Sequence, residues 1–158
     1  MRLTWLGHAS FRLDCGVVVY FDPYGVVGSG DADLILVSHS HYDHCDVESI
    51  RGLSGDCTYI LCPNSCVDML DGNVSGLNVG DSVRFGGVKV EAYPAYNVDK
   101  PNHPVGVGVG FLVEACGRRV YHAGDTDLIP EMYGLGVVDV ALLPVGGTYT
   151  MDCLLYTS

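Results

Sequence analysis

The sequence has few positive charges and no long uninterrupted apolar run. Its 158 residues include 8 lysines and arginines against 19 aspartates and glutamates, a formal net charge of −11. This balance argues against a polyanionic partner held by general electrostatics, so nucleic acid is not expected as a partner. A small phosphorylated substrate stays compatible, because bound divalent cations would reverse the local field. No apolar run approaches the ~20 residues of a membrane span, so no membrane partner is expected.

The sequence also lacks a secretory signal and a regular cysteine pattern. It begins directly with a predicted strand at residues 2–6, without the basic, apolar and small-residue regions of a leader. The seven cysteines are an odd number, and no pair has the spacing of a zinc knuckle or a redox motif. We therefore expect reduced thiols and a cytoplasmic protein. The length and the 48% hydrophobic content fit one globular domain.

The most informative stretch is 38–44, Ser-His-Ser-His-Tyr-Asp-His, which follows an apolar run. Imidazole nitrogen suits zinc and carboxylate oxygen suits harder cations, so this mixture can hold one or two hydrolytic metals. His39 and His41 can leave the same face of an extended backbone and meet at one ion. Asp43 and His44 can turn toward a second ion. The alternative is a solvated polar loop, which three histidines in six residues disfavour.

The order of patterns along the chain predicts a layered α/β fold. The predicted strands are 2–6, 10–15, 17–22, 33–38, 58–61, 82–85, 88–93, 105–115, 120–123 and 137–143. The predicted helices are 46–53, 63–70 and 127–133. Gly86-Gly87 predicts a two-residue hairpin turn. The irregular polar loop 94–104 is expected to carry functional residues.

The spacing His39-x-His41-x-Asp43-His44 after an apolar strand resembles the HxHxDH signature of the metallo-β-lactamase superfamily. Four further stretches match this superfamily: residues 5–9, 21–23, 121–126 and 143–151. Together they resemble the branch that contains the L-ascorbate-6-phosphate lactonase-like metal-dependent hydrolases. The resemblance covers 1–152, interpreted as one incomplete hydrolase domain, and leaves 153–158 as an unmatched tail. It implies a four-layered αββα sandwich whose C-terminal part is missing.

The resemblance also implies a site with two divalent cations. It assigns His39 and His41 to one ion, Asp43 and His44 to the other, and Asp125 as the carboxylate that bridges them. An aspartate at a strand end can offset positive charge that neutral imidazoles cannot. Zinc is the expected ion, with manganese or iron as alternatives. Asp43 is also the candidate catalytic residue, because it could orient the attacking water or accept its proton.

Five other polar residues are candidates for the surroundings of the ions. His8 would contact substrate or lie just behind the metal ligands. Asp22 would accept an N–H from a ligating imidazole, or would only end a strand before proline. Many relatives supply a further histidine from the loop that here contains Asn97 and His103, so either residue could be a ligand or the position could stay open. His122 would lie beside the site or in the core.

These features predict metal-assisted hydrolysis of an ester, lactone or phosphoester bond in a small molecule. Two alternatives stay open: a metal-binding protein with a redox or structural role, and a nuclease-type phosphodiesterase, which the acidic composition disfavours. Homo-oligomerisation also stays open. Relatives continue to a Pro-x-His motif that supplies a last ligand. The 158-residue chain is therefore expected to bind metal substoichiometrically, to be poorly soluble and to be nearly inactive.

Overall fold

The computed structural model describes residues 1–152, which form two β-sheets packed face to face. The first sheet has six strands in chain order: β1 (Arg2–Gly7), β2 (Ser10–Asp14), β3 (Val18–Phe21), β4 (Ala32–Leu36), β5 (Ser54–Pro63) and β6 (Asn73–Leu77). Strands β1 to β3 pair antiparallel, whereas β3 to β6 pair parallel. This sheet is therefore mixed.

The second sheet has five strands in the order β11-β10-β9-β8-β7. They are β7 (Ser82–Phe85), β8 (Val88–Ala95), β9 (Gly108–Ala115), β10 (Arg118–His122) and β11 (Val140–Leu142). Only the β10–β11 pair is parallel among the pairs of this sheet in the described chain. Gly86 and Gly87 have φ angles of 52° and 87°, as a two-residue hairpin turn between β7 and β8 requires.

The main core lies between the two sheets. Alternate side chains point into it, such as Val19 and Phe21 from β3 and Phe111 from β9. In β4, Leu34 belongs to this core, whereas Ile35 packs on the outer face of the sheet. Both faces of β4 are therefore covered, which explains the continuous apolar run that precedes the histidines.

Helical structure is sparser than the sequence predicts. Helix α1 (Val47–Leu53) forms as expected, with the Asp46 carboxylate accepting the Glu48 N–H at 3.2 Å. The predicted helices 63–70 and 127–133 are corrected to short 3₁₀ helices at Asn64–Met69 and Pro130–Gly134. The first is rich in asparagine, serine and aspartate, which compete for backbone hydrogen bonds, and the second is bounded by proline and glycine. The described chain is thus two mixed sheets with few helices, and a full four-layered sandwich is not formed by these residues.

Two predicted strands also change. The sequence missed β6 (Asn73–Leu77), because its polar residues and Gly76 weaken the strand pattern. A Cβ at Gly76 would lie 2.0 Å from Asn64 Oδ1, so glycine permits close packing of the preceding 3₁₀ helix. The predicted strand 105–115 begins only at Gly108, because Val107 N–H bonds back to the Pro104 carbonyl in a turn.

Six of the seven cysteines lie within residues 1–152, where they are free thiols. Cys45 follows the metal-binding pattern but is buried on the outer face of the first sheet with Cys62 and Cys66. A hydrogen bond with Cys66, together with burial, raises the pKa of the Cys45 thiol. Cys153 and the rest of the tail 153–158 lie outside the described residues. Among residues 1–152, none of the helices has the length and apolar character needed to cross a membrane.

Candidate metal centre

Most of the candidate residues meet at one edge of the two sheets. They lie in the β1–β2 turn, in the loops that follow β3, β4 and β10, and in the loop 96–107. Carboxyl ends of parallel strands meet at the same edge, which brings the loops after β3 and β4 together. Glycines allow the second sheet to approach them closely. A Cβ at Gly108 would lie 3.3 Å from the Cβ of His39, and one at Gly124 would lie 3.0 Å from the Cβ of Ser38.

Three imidazole nitrogens form the first group of metal-ligating atoms. His41 Nδ1 lies 3.0 Å from His39 Nε2 and 3.2 Å from His103 Nε2. Asp125 Oδ2 lies 3.3 Å from the same His103 nitrogen. Ligand atoms around a tetrahedral zinc with bonds of about 2.0–2.1 Å are about 3.3–3.4 Å apart. The spacing of this group therefore matches a divalent cation of zinc's size.

The loop 96–107 determines which nitrogen His103 presents. His103 Nδ1 lies 3.0 Å from Asn97 Oδ1 and 3.2 Å from the Tyr149 carbonyl. Both neighbours are acceptors, so Nδ1 carries the proton and the Nε2 lone pair is free to face the group. Asn97 is thus placed behind His103, because its Oδ1 also accepts the backbone N–H of His103 at 3.1 Å. Sequence reasoning missed Tyr149, because a backbone carbonyl leaves no signal in the side-chain pattern.

Ser38 orients His39 in a similar way. Its Oγ donates to Asp22 Oδ2 at 2.5 Å, and His39 Nδ1 lies 2.9 Å from the same Oγ. The hydroxyl proton is committed to the carboxylate, so His39 Nδ1–H donates and Nε2 keeps its lone pair. Burial lowers the pKa of His39 to about 3, aided by the positive charge of His44. Ser38 was inside the stretch singled out from the sequence, but its hydroxyl was not recognised as part of the site.

Asp125 connects two groups through its two oxygens. Oδ2 faces His103 as above, and Oδ1 lies 3.4 Å from His44 Nε2. Burial would raise the pKa of the Asp125 carboxyl, but the close contacts with His103 and His44 and the positive charge of His44 lower it far more. The carboxylate therefore stays ionised and offers one oxygen to each side.

Asp22 is a fully buried carboxylate that holds His44. Its Oδ2 lies 2.7 Å from His44 Nδ1, and its Oδ1 accepts the Ser38 N–H at 2.6 Å. Burial would lower the pKa of His44, but the negative charges of Asp22 and Asp125 raise it to about 10. Because Nδ1 is committed to Asp22, Nε2 is the atom that faces Asp125.

The second group joins His44 to the β1–β2 turn. His8 Nε2 lies 3.1 Å from Asp43 Oδ2, and the His8 and His44 rings are 5.2 Å apart in an edge-to-face arrangement. One ligand atom from each of these three residues lies within 4.8 Å of the other two. The side chains of His8 and Asp43 are 46% and 27% exposed, so this group opens toward solvent.

His122 lies between the sheets and is not in any metal-ligating group of the described chain. Its Nε2 donates to the Ala9 carbonyl at 2.9 Å. Its ring stacks on Phe21, with the ring centres 5.3 Å apart, and meets Phe11 edge to face. His122 therefore supports the turn that carries His8 from the core side.

The donor set fits divalent cations. The imidazole nitrogens His39 Nε2 and His103 Nε2 lie 3.0 and 3.2 Å from a third, His41 Nδ1. The buried His44 Nε2 has no aligned hydrogen-bond partner in the described structure, although Asp125 Oδ1 is 3.4 Å away. Imidazole and carboxylate together are the ligands that zinc and similar ions take in hydrolytic sites.

A cavity of about 320 Å³ opens beside the second group. Its lining includes His8, Asp43, Asp125, His122, Phe11, Tyr149, Thr150 and the apolar segment 142–145. Among the described residues, neither lysine nor arginine contributes to this lining. The volume is at the lower end of that of small-molecule sites, so the cavity suits a small ligand.

Comparison with known proteins assigns the family. The Beta-lactamase superfamily domain matches residues 2–154. A UPF0173 metal-dependent hydrolase of Methanoregula boonei is 37% identical over 169 residues, which cover 96% of this chain and 72% of that protein. Several further UPF0173 proteins are 33–36% identical and are covered to 71–75% of their lengths.

Solved structures support the same family assignment. A protein of Parabacteroides distasonis assigned as a metal-dependent hydrolase has a TM-score of 0.87 at 33% identity, with 98% of this chain and 74% of that chain covered. A Thermotoga maritima protein assigned as a Zn-dependent hydrolase of the metallo-β-lactamase superfamily has a TM-score of 0.60 at 28% identity, with 95% and 64% covered. By homology, the chain therefore belongs to the UPF0173 family of metal-dependent hydrolases, within the metallo-β-lactamase superfamily.

Proposed function

We propose that the chain hydrolyses a small uncharged ester or lactone with the help of two divalent cations. The observation that carries this proposal is Asp125, whose two oxygens face two separate groups of ligand atoms. One ion would be held by His39, His41, His103 and Asp125, and the other by Asp43, His44 and Asp125. Zinc is favoured because imidazoles predominate and because the T. maritima relative is assigned as Zn-dependent.

Ions held there would polarise the oxygen of the scissile bond and supply a nucleophilic water at neutral pH. The side chains of the protein would orient the attacking water and the ligating imidazoles, and would accept the proton of the water. Asp43 lines the cavity and is partly exposed, so its carboxylate can hold the attacking water and accept its proton. Asp22 keeps His44 in one tautomer, and Asn97 does the same for His103.

The cavity supports an uncharged substrate. A phosphate group away from the scissile bond would need a cationic side chain or free backbone N–H groups. The described lining has no lysine or arginine. The glycine-rich turn at 146–148 uses its N–H groups internally, on Thr150 Oγ1 and on the carbonyls of Met151 and Gly146. A phosphorylated sugar, which the resemblance to ascorbate-6-phosphate lactonases suggests, is thus less favoured than a neutral lactone.

The two alternative functions are less well supported. A nuclease needs a positive surface, whereas the chain has a formal net charge of −11. A purely structural metal site is closed by protein ligands. Here the cavity reaches Asp43 and Asp125, so a substrate can approach the second group.

The test combines metal analysis with a substrate panel. The proposal predicts that purified protein binds two Zn²⁺ or Mn²⁺ ions per chain and hydrolyses neutral lactones and esters faster than phosphorylated ones or phosphodiesters. That result would contradict the substoichiometric metal binding and near inactivity expected from the sequence. Asp43→Asn is expected to lower turnover by about 10²-fold or more. The matched control Asp71→Asn alters an exposed carboxylate paired with Arg51 and is expected to leave turnover unchanged. A metal-loaded protein that cleaves none of these bonds would refute the proposal.

A further inference from the structure

His8 occupies a strained position in the turn between β1 and β2. Its φ is +47°, in the left-handed region that a residue with a β-carbon rarely adopts. Gly7 before it has φ 114°, and the pairing of β1 with β2 shifts register between Trp5 and Gly7. Strained residues of this kind cluster at functional sites, where the surrounding structure holds them in place.

The neighbours of His8 hold its ring toward the second group. Trp5 Nε1–H donates to the His8 carbonyl at 2.9 Å. The Tyr24 ring meets the imidazole edge to face, with ring centres 5.7 Å apart. The centre of the imidazole is also 5.2 Å from the centre of the His44 ring. The turn thus presents His8 Nε2 to Asp43 and His44.

The distances within two pairs of side chains match the spacing of ligands of one ion. His8 Nε2 is 3.1 Å from Asp43 Oδ2, and His44 Nε2 is 3.4 Å from Asp125 Oδ1. These are two pairs of atoms, each near the spacing of about 3.3–3.4 Å expected between ligands of a tetrahedral zinc. One ligand atom from each of His8, Asp43 and His44 also lies within 4.8 Å of the others.

We propose that His8 Nε2 is a ligand of the second cation, together with Asp43, His44 and Asp125. The inference rests on the two-cation function proposed above. With His8 included, the ligands of the second cation become two imidazoles and two carboxylates instead of one imidazole and two carboxylates. The larger set is closer to the ligand preference of zinc. Zinc can expand to five ligands, so four protein donors leave a position for water. The competing explanation is that His8 only hydrogen-bonds Asp43.

Cobalt(II) titration of three versions of the chain tests the inference: wild type, His8→Gly and His8→Gln. His8→Gly removes the imidazole and also relieves the positive φ, so folding is expected to be retained. His8→Gln keeps an N–H donor for Asp43 but supplies no imidazole. The readouts are the visible absorption of bound Co²⁺, its stoichiometry and the dissociation constant of each ion.

If His8 is a ligand, both variants lower the affinity for the second Co²⁺ by at least about tenfold and change its absorption spectrum. The first ion, held by His39, His41 and His103, is expected to be unaffected. Because His8 is partly exposed, added imidazole should restore the second ion's spectrum in His8→Gly. Wild-type affinity in His8→Gln, with loss only in His8→Gly, would mean a positioning role and would overturn the proposal.

Other outcomes separate this inference from the function on which it rests. Two Co²⁺ ions in wild type with unchanged affinity and spectrum in His8→Gly would overturn the role of His8 alone. A single Co²⁺ in wild type would overturn the two-cation proposal and this inference with it. His122→Gln is the matched control, because its amide can still donate to the Ala9 carbonyl and His122 lies outside the ligand groups. It is expected to bind both ions as wild type does.

Discussion

Replacement of Asp22 by asparagine tests whether the buried carboxylate sets the tautomer of His44. Asp22 accepts three hydrogen bonds, from Ser38 N–H at 2.6 Å, Ser38 Oγ at 2.5 Å and His44 Nδ1 at 2.7 Å. An asparagine has one oxygen and one NH₂ group. If its oxygen keeps the Ser38 N–H, its NH₂ group faces His44 Nδ1. His44 would then accept at Nδ1 and carry its proton on Nε2, the atom that faces Asp125.

The expected magnitude follows from these contacts. A hydrogen bond to a charged group contributes about 1.5–3 kcal/mol, so the metal-free Asp22→Asn variant should lose about that much free energy of unfolding. Residues that orient metal ligands change affinity by about 10–100-fold, which is about 1.4–2.8 kcal/mol. Both losses come from the same change. In wild type the Nε2 proton leaves when a cation binds and Nδ1–H stays on the Asp22 carboxylate, whereas in the variant Nδ1–H would face the NH₂ group of the asparagine.

The assay is competition between the protein and a chelating dye for Zn²⁺, combined with urea unfolding of the metal-free chain. Asp33→Asn is the matched control: Asp33 Oδ2 accepts the Val18 N–H at 2.7 Å, but the residue is exposed and joins β3 to β4 away from the ligands. It is expected to leave the zinc affinity unchanged. Zinc affinity of Asp22→Asn within twofold of wild type would show that the carboxylate does not control the ligand state of His44.

Three further outcomes are expected. Metal analysis of His41→Ala should show loss of the first ion. The far-ultraviolet circular dichroism of this variant should stay unchanged, because the His41 side chain is exposed and is not part of the core. Full metal stoichiometry in the variant would contradict the assignment of His41 as a ligand. The pKa of His44 is raised to about 10 and that of His39 is lowered to about 3. Calorimetry of metal binding in two buffers near pH 7.5 should therefore show one proton released from His44 and none from His39, and the second ion should bind more weakly at lower pH. Metal binding without proton release would contradict this expectation. A Cβ at Gly28 would lie 2.4 Å from the backbone of α1, so Gly28→Ala should lower the free energy of unfolding in urea by about 1–3 kcal/mol. Gly134 has open space around it, so the control Gly134→Ala should not lower it. Equal stabilities of the two variants would refute the packing argument.

Local patterns predicted the strands that position the site. The apolar run of β4 and the cluster after it are adjacent in sequence, so a strand followed by convergent imidazoles could be inferred directly. The helices were overpredicted, because the residue pattern at 63–70 and 127–133 does not show that proline, glycine and short polar residues leave only short 3₁₀ helices there. Strand β6 was missed, since its parallel pairing with β5 compensates for a weak intrinsic propensity.

The contact between His103 and His41 could not be derived from spacing. The two residues are 62 positions apart, and the loop 96–107 places His103 through bonds that involve Asn97 and the Tyr149 carbonyl. The sequence left Asn97 and His103 as competing ligands. The structure gives them different places, with the His103 imidazole inside the first group and the Asn97 amide behind it. Such a distinction depends on backbone hydrogen bonds, which a residue pattern does not record.

The second ion is where sequence and structure lead to different expectations. The resemblance drawn from the sequence assigns Asp43, His44 and Asp125 to this ion, a set with a single imidazole. The structure brings another imidazole to the same group, since the strained turn at His8 places Nε2 3.1 Å from Asp43 Oδ2. If His8 contributes a ligand, loss of its imidazole should weaken the second ion and leave the first unchanged. The relative affinities of the two ions in wild type and His8→Gly therefore decide between these two expectations.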